Sequence, residues 1–296
     1  DILSKLTIAL DIMGGDHGPP VILSAVQKAI QSITDTQFIL CGDENIIRPA
    51  LESLTEDQRQ RAVVHHCEQI VAMGEPPTSA LRNKKQSSMW KALQLVESGE
   101  ADACVSAGNT GALLTMAFYL LKTLPGIDRP ALVSDMPTAS HHRVFLLDLG
   151  ANVNCTSEIL FQYGVMASVL AEQISGIESP RVALLNVGEE DIKGNAQVKY
   201  ADQLFKNAKG INYIGYVEGD DIFTDYADVV VTDGFTGNIA LKSCEGLAKL
   251  VINEVKRQSQ ANFFSRMMAR IALPLLKTVY NRVNPDQYNG ASLLGL

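Results

Sequence analysis

The residues best suited to chemistry lie in five short loops rich in Gly, Asn and Asp. These are Asp11-Ile-Met-Gly-Gly-Asp-His-Gly18, Ser106-Ala-Gly-Asn-Thr-Gly111, Asp148-Leu-Gly-Ala-Asn152, Asn186-Val-Gly-Glu-Glu-Asp-Ile-Lys-Gly-Asn195 and Asp233-Gly-Phe-Thr-Gly-Asn238. Each closes an apolar run, and most lead straight into a helix-like stretch. Open α/β sheets bind ligands in loops at the carboxyl ends of their strands. Glycine lets the backbone approach a ligand closely, and the following helix start offers free N–H groups and a positive dipole end. Five such loops predict a single crevice built for an anion. Lys193 is the one Lys or Arg inside them, between Gly188 and Gly194. It can reach a phosphate as a point charge, or it can simply answer Glu189, Glu190 and Asp191 in solvent. Asn109 and Asn238 stand beside helix starts, as caps or as donors to a phosphate or a developing oxyanion.

Other chemistries lack their marks. The first loop reads Gly14-Gly15-Asp16-His17-Gly18 where a dinucleotide fold carries G-x-G-x-x-G, and no G-x-x-x-x-G-K-[ST] occurs. His65–His66 and His141–His142 are adjacent pairs, whose side chains on a strand point to opposite faces, so neither makes a two-ligand clamp. No Cys/His cluster has metal-ligand spacing, and Asp11, Asp16, Asp148 and Asp233 are expected to cap loops and helices more than to hold Mg²⁺. No G-x-S-x-G elbow marks a nucleophilic serine. Non-covalent anion handling remains, with no metal and no cofactor expected.

The elements that would position these loops follow from periodicity. Strand-like runs cover Leu6–Asp11, Phe38–Gly42, Ala62–Cys67, Ala103–Ala107, Ala131–Asp135, Val144–Leu149, Val182–Val187, Ile211–Val217 and Val229–Thr232. Several are apolar throughout, the mark of strands covered on both faces. Helical periodicity fills Val21–Ser32, Asn45–Leu54, Ser79–Ser98, Thr110–Leu121, Ser157–Ile174, Ala196–Asn207 and Asn238–Gln258. The alternation predicts a layered α/β fold over residues 1–258, with a weak seam near 123–129 where Pro125 and Gly126 punctuate the chain. The chain has 296 residues, is 46% hydrophobic and carries a formal charge of -8, which argues against a general nucleic-acid binder. Its five cysteines are dispersed and read as reduced, mostly core residues. The opening residues do not read as a secretory leader, and no apolar stretch is long enough to span a bilayer.

Residues 259–283 break the pattern. Between Lys256 and Arg282 lie Lys256, Arg257, Arg266, Arg270, Lys277 and Arg282, with no Asp or Glu from 255 to 285. On a helical wheel Arg266, Arg270 and Lys277 share one sector, while Phe264, Met267, Met268, Ile271, Leu275 and Val279 fill the rest. Pro274 is expected to kink or divide this helix. Such a tip suits an anionic membrane surface through Phe263, Phe264, Met267, Ile271 and Leu275, or equally a dimer interface. The basic stretch Arg82, Lys84 and Lys85 is a solvated helix face or a docking patch for an acidic partner.

These loops, with Ile8–Asp16, Gly42-Asp-Glu44, Ser87-Ser-Met89, Val105–Ala112, Leu147–Asn152, Leu185–Glu190, Asp233–Asn238 and the tail Asn284–Gly295, resemble the PlsX phosphate acyltransferase family of bacterial phospholipid synthesis. The resemblance covers nearly the whole chain. It implies that a fatty acyl group moves from acyl carrier protein to inorganic phosphate, giving an acyl phosphate. It further implies a three-layer αβα sandwich with a mostly parallel sheet, akin to phosphate acetyltransferases and isocitrate-type dehydrogenases. A homodimer and peripheral contact with the inner face of the cell membrane belong to the same implication, alongside the cytoplasmic location expected from the dispersed, reduced cysteines. The segment 284–296 is then a return to the core. His17 receives no catalytic role, and relatives of this family continue for a further strand and helix past the position of Leu296.

For that reaction Gly14, Gly15, Asp16, Ser106, Asn109, Thr110, Gly111 and Asn152 are expected to contact phosphate or substrate. Lys193 would offset the phosphate charge, and Asn238 would donate to the oxyanion. Arg82, Lys84 and Lys85 would receive the acidic carrier. Rival readings are a phosphate acetyl- or butyryltransferase using coenzyme A thioesters, a decarboxylating dehydrogenase, and a membrane-recruited scaffold without turnover.

Overall fold

The computed structural model describes residues 6–140, 142–261, 263–283 and 290–296. The chain forms two compact units that divide between Thr123 and Leu124. The first carries an all-parallel four-stranded sheet of β1 (Leu6–Asp11), β2 (Thr36–Gly42), β3 (Ala62–His66) and β4 (Ala103–Ser106), in the order β3-β2-β1-β4. Around it lie α1 (Pro19–Ser32), α2 (Glu44–Leu51), α3 (Glu56–Gln60), α4 (Pro77–Asn83), α5 (Ser88–Glu97) and α6 (Thr110–Leu121). Alternate residues of β2 explain why the strand is apolar throughout. Phe38 and Leu40 pack with Leu23, Val26 and Ile30 of α1 and with Ile47 and Leu51 of α2. Ile39 and Cys41 join Ala92 and Leu95 of α5 on the other face.

The second unit is built the same way on six strands. These are β5 (Ala131–Pro137), β6 (Arg143–Leu147), β7 (Arg181–Leu185), β8 (Asn212–Val217), β9 (Val229–Val231) and β10 (Ser292–Leu294), ordered β10-β5-β6-β9-β7-β8. The run β6-β9-β7-β8 is parallel, while β5 is antiparallel to both β6 and β10. Phe145, Leu147, Val182 and Leu184 face α7 (Ser157–Ser175) and α8 (Ala196–Asn207) through Leu160, Tyr163, Ala167 and Phe205. Leu146, Ala183 and Val230 pack on the opposite face, with Leu241 of α9 (Gly234–Gln260) against them. Each unit is thus a mostly parallel sheet layered on both sides, as the alternation predicts.

The elements depart from expectation at four places. The helix expected over 79–98 is two, because Ser87 accepts from the Trp90 N–H and restarts the backbone as the cap of α5. The short α3 has a capping box in which Thr55 and Gln58 satisfy each other's N–H groups. Helix α9 begins at Gly234, one turn before Asn238, because Asp233 caps it by accepting from the Thr236 N–H. The last helix, α10 (Phe263–Val283), runs through Pro274 undivided. Pro274 leaves the Arg270 carbonyl without its helical donor, and both residues are exposed, so water can serve that group. His141, residues 284–289 and the side chain of Phe264 lie outside the described part.

Phe205 is 1% exposed and stacks on Tyr213 with ring centroids 4.8 Å apart. A Cβ on Gly164 of α7 would meet its ring at 2.4 Å. Gly164→Ala should therefore cost about 1–3 kcal/mol by overpacking, and Phe205→Ala about 3–5 kcal/mol by leaving a cavity. Chemical denaturation of the two variants checks both figures.

Candidate active site

The five glycine-rich loops follow β1, β4, β6, β7 and β9, all at carboxyl ends of parallel strands. They gather as two clusters, one in each unit. In the first unit β1 and β4 are neighbours, which brings Gly14 beside Gly108. A Cβ on Gly14 would lie 2.9 Å from both the Cα and the N of Gly108, so no larger residue fits there. Asp11, 2% exposed, organises this cluster. Its Oδ1 accepts from the Ser88 hydroxyl at 2.6 Å and its Oδ2 from the Ser106 hydroxyl at 2.7 Å. Ser106 Oγ in turn accepts from the Gly108 N–H at 3.0 Å. Gly111 packs on Pro77, which a Cβ would approach to 2.9 Å. Asp16 and Thr110 are exposed, and Thr110 is the first residue of α6.

Asn109 does not have the freedom its sequence position suggests. Its Oδ1 caps α6 by accepting from the Ala112 N–H at 3.0 Å. Its Nδ2 donates to the carbonyls of Met73 at 2.8 Å and Glu75 at 2.9 Å, and more weakly to that of Ala72. The side chain is a clamp on the 72–75 loop, so its amide is committed and cannot serve as a free donor to phosphate. Of the basic residues expected to receive a carrier, Arg82 is exposed, Lys84 lies 3.9 Å from Glu75, and Lys85 Nζ stands 5.6 Å from the Trp90 ring centre.

In the second unit a buried carboxylate plays the same part. Asp148, fully buried, accepts at Oδ1 from the N–H groups of Leu132 and Ala151, each at 3.0 Å, and at Oδ2 from that of Asn152 at 2.7 Å. Burial pushes its pKa up, and the N–H groups oppose that shift. Two glycines of α9 press on it. A Cβ on Gly234 would meet Asp148 Oδ2 at 2.8 Å, and one on Gly237 would lie closer still to the Asp148 carbonyl. Asn152 is 7% exposed, and its Nδ2 donates to the Pro130 carbonyl and to Tyr163 Oη, both at 2.7 Å. Like Asn109 it holds structure together, and it is too buried and too committed to contact a substrate.

Lys193 and Asn238 differ. Lys193 lies across Gly188, where a Cβ would clash with its chain, and its Nζ is 2.7 Å from Glu190 Oε2. That hydrogen bond holds the ammonium pKa above its ordinary value, so the exposed Lys193 is charged at neutral pH. Asn186, which the sequence reading gave no role, fixes the loop by donating to the Gly188 carbonyl at 2.9 Å. Asn238 is exposed on the second turn of α9 with its side chain over Gly150, whose φ of +127° admits no side chain without strain. Among the described residues its amide has no hydrogen-bond partner.

Two clefts lie beside these loops without being lined by the residues expected to bind phosphate. One of about 400 Å³ sits where α7 and α8 begin, lined by Asn154, Cys155, Thr156, Ser157, Gln197 and Tyr200 together with Ala196. The other, about 350 Å³, is lined by Met13, Asp43, Asn45, Ile46, His66, Cys67, Glu68 and Ile70. Among the described residues no group of three or more His, Cys, Asp or Glu is arranged to hold a metal ion.

Residues 6–296 match the model of a family described as fatty acid synthesis protein. The chain is 60% identical to a phosphate acyltransferase of Pseudoalteromonas atlantica, over 99% of this chain and 86% of that protein. It is 52% identical to a phosphate acyltransferase of Halorhodospira halophila, over 99% and 85%. Among solved structures it is similar to a phosphotransacetylase from Streptococcus pyogenes, with TM-score 0.62, 18% identity and 83% of each chain covered. A branched-chain phosphotransacylase from Enterococcus faecalis gives TM-score 0.59 at 19% identity, covering 82% of this chain and 84% of that one. At such identities the structural likeness concerns the fold.

The clamp makes a separate prediction. Asn109→Ala should cost about 1 kcal/mol for the lost cap and should speed amide hydrogen exchange across residues 72–75. Unchanged exchange there would show that the loop does not depend on Asn109.

Proposed function

The chain belongs to the PlsX phosphate acyltransferases, the family described as fatty acid synthesis protein, and from that premise we propose how its residues divide the reaction. The acyl group arrives as a thioester of acyl carrier protein. A phosphate oxygen attacks the thioester carbon, the C–S bond breaks, and the carrier thiol leaves with a proton while acyl phosphate forms. Phosphate is already anionic at neutral pH and needs positioning more than activation. In the first unit the main-chain N–H groups at Gly14–Gly15 and Asn109–Gly111 suit an anionic group of a substrate, with Asp16, Ser106 and Thr110 at their margin. Lys193 exchanges Glu190 for a phosphate oxygen. Asn238 donates to the thioester oxygen as negative charge develops on it. The observation that carries this assignment is the uncommitted Asn238 amide, held over Gly150 at the head of α9.

The acidic carrier docks on Arg82, Lys84 and Lys85, a local positive patch on a chain of net charge -8. The protein works as a homodimer held peripherally on the inner face of an anionic membrane. Support for the membrane contact comes from α10, where Phe263, Ile271 and Leu275 are 81%, 69% and 67% exposed beside the exposed Arg266, Arg270 and Lys277. No described helix is long and apolar enough to cross a membrane.

Incubation with acyl-carrier-protein thioester, with and without phosphate, should give acyl phosphate only when phosphate is present, and faster than the matching coenzyme A thioester does. Lys193→Ala and Asn238→Ala should fold normally and lose this activity, Asn238→Ala by about 10²–10³ in turnover. Full activity in both would end the assignment.

For the tip, Ile271→Glu combined with Leu275→Glu should release the protein from anionic vesicles in a flotation assay. Vesicle binding that persists, with weakened self-association, would instead make α10 an interface between copies.

A further inference from the structure

The three loops of the second unit that carry Asn152, Lys193 and Asn238 also carry large apolar side chains that point to solvent. β9 lies between β6 and β7, and Val231 pairs with Leu147 on one side and Leu184 on the other. The three loops therefore leave the sheet level with one another. The middle one opens α9 and exposes Phe235 and Ile239. The loop after β6 exposes Val153, and the loop after β7 exposes Val187 and Ile192. All five side chains are between 50% and 83% exposed. Val153 follows Asn152, whose carbonyl accepts from the Gly234 N–H at 2.8 Å, so this valine is tied to the start of the helix that bears Phe235.

Single exposed apolar residues are ordinary, whereas a group of them around a polar site marks a surface that meets something apolar. The core does not account for these five. On the first turns of α9, Gly234 and Gly237 press on Asp148 and Leu241 packs against the sheet. Phe235 and Ile239 fall on the outer face one turn apart, because residues four apart share a helix face. Asn238 adjoins them, three residues after Phe235 and one before Ile239. The glycine loops of the first unit differ. Ile12 and Met13 are buried, and Ser106–Gly111 holds no large apolar residue. Exposed apolar side chains thus accompany Asn238 and Lys193 and are not a property of glycine loops in general.

We propose that this rim receives the aliphatic chain of the thioester substrate and sets a preference for long chains, with Phe235 and Ile239 as its specificity-determining residues. The assignment rests on the reading of Asn238 as donor to the thioester oxygen. An oxygen held by that amide places the first carbons of the acyl chain beside the two side chains that flank it on α9. The chain is the one wholly apolar part of such a substrate, while phosphate and the carrier are polar or charged. Full burial of a methylene favours binding by about fourfold, and contact on one face by about twofold. A short chain covers little of the rim, so the gain accumulates only as the chain lengthens.

The test measures the affinity of the folded full chain for hexadecanoyl- and butanoyl-acyl carrier protein in phosphate-free buffer, where the thioester persists. The unsubstituted protein should bind the hexadecanoyl form more tightly. Phe235→Ser combined with Ile239→Ser should narrow that preference by about tenfold or more. Phe235→Leu, which keeps an apolar surface, should retain most of it, and so should Ile174→Ser, which removes an equally exposed apolar side chain from the far end of α7. An undiminished preference in the double variant, or none in the unsubstituted protein, would overturn the proposal. So would a double variant that keeps the preference and loses self-association in sedimentation, since the rim would then be an interface between copies. Phosphate added to the same mixtures tests acyl transfer separately: a failure to form acyl phosphate counts against that reading, while the chain preference is read from binding alone.

Discussion

A buried carboxylate at the carboxyl end of a strand organises each unit. Asp11 closes β1 and is held by two serine hydroxyls. Asp148 follows β6 and is held by main-chain N–H groups. A carboxylate out of reach of water is costly unless its oxygens are satisfied, and hydrogen bonds to a charged group contribute about 1.5–3 kcal/mol each. The loops must therefore fold around these side chains. The glycines follow from this constraint. Gly14, Gly234 and Gly237 sit where the chain passes so close to the carboxylate or its loop that a Cβ would collide, and at Gly108 a Cβ would meet the Met89 methyl at 2.8 Å. Conformational freedom through positive φ is needed at Gly150, whereas those four are glycine because of close approach. The result is a set of loops tied down by their own hydrogen bonds and close packing, which is the condition for electrostatic preorganisation of main-chain donors.

Rigid loops need polar side chains of their own, and the same residue types serve scaffold and site. Asn109, Asn152, Asn186 and Asn238 all stand in glycine-rich loops. Three of them have committed amides, to the carbonyls of 72–75, to Pro130 and Tyr163, and to Gly188. Asn238 is exposed, and among the described residues its amide has no partner. What separates a scaffold amide from a reactive one is whether its hydrogens already have acceptors, and that depends on residues far away in sequence. Asn109 reaches carbonyls 34–37 residues back, and no local pattern announces such a contact.

This marks where the sequence is legible and where it stops being so. All nine expected strands are present within a few residues, because strands covered on both faces are apolar at every position and short loops punctuate them. Helix boundaries are less legible. A single helix over 79–98 would have to run through Arg82–Ser88, seven residues without one apolar side chain, and there Ser87, a better cap than a mid-helix residue, starts α5. The start of α9 was hidden for the opposite reason. Gly234 and Gly237 look like loop residues, but Asp233 caps them into a helix and packing against Asp148 requires their small size. The two-unit organisation is visible in sequence only as Pro125 and Gly126. That each unit builds its own sheet follows from strand pairing, which periodicity does not encode.

Charge raises a last question of physics, since an acidic chain must attract an anion. Net charge acts at long range and is screened beyond roughly 8 Å at physiological ionic strength. Oriented N–H groups act at contact, where their partial charges do not depend on the overall balance. A phosphate on glycine-loop N–H groups therefore senses a positive surface even on a chain of charge -8. The Lys193–Glu190 pair fits the same logic. At rest the ammonium is partnered at 2.7 Å and adds no net charge to its loop. The pair is exposed, so its resting contact is worth little, and in the role proposed for Lys193 a phosphate carrying more negative charge than one carboxylate displaces Glu190. On the proposed role of Lys193, a cation that waits in a weak pair is available to a phosphate without having to be buried, while the loop beneath it is fixed by Asn186.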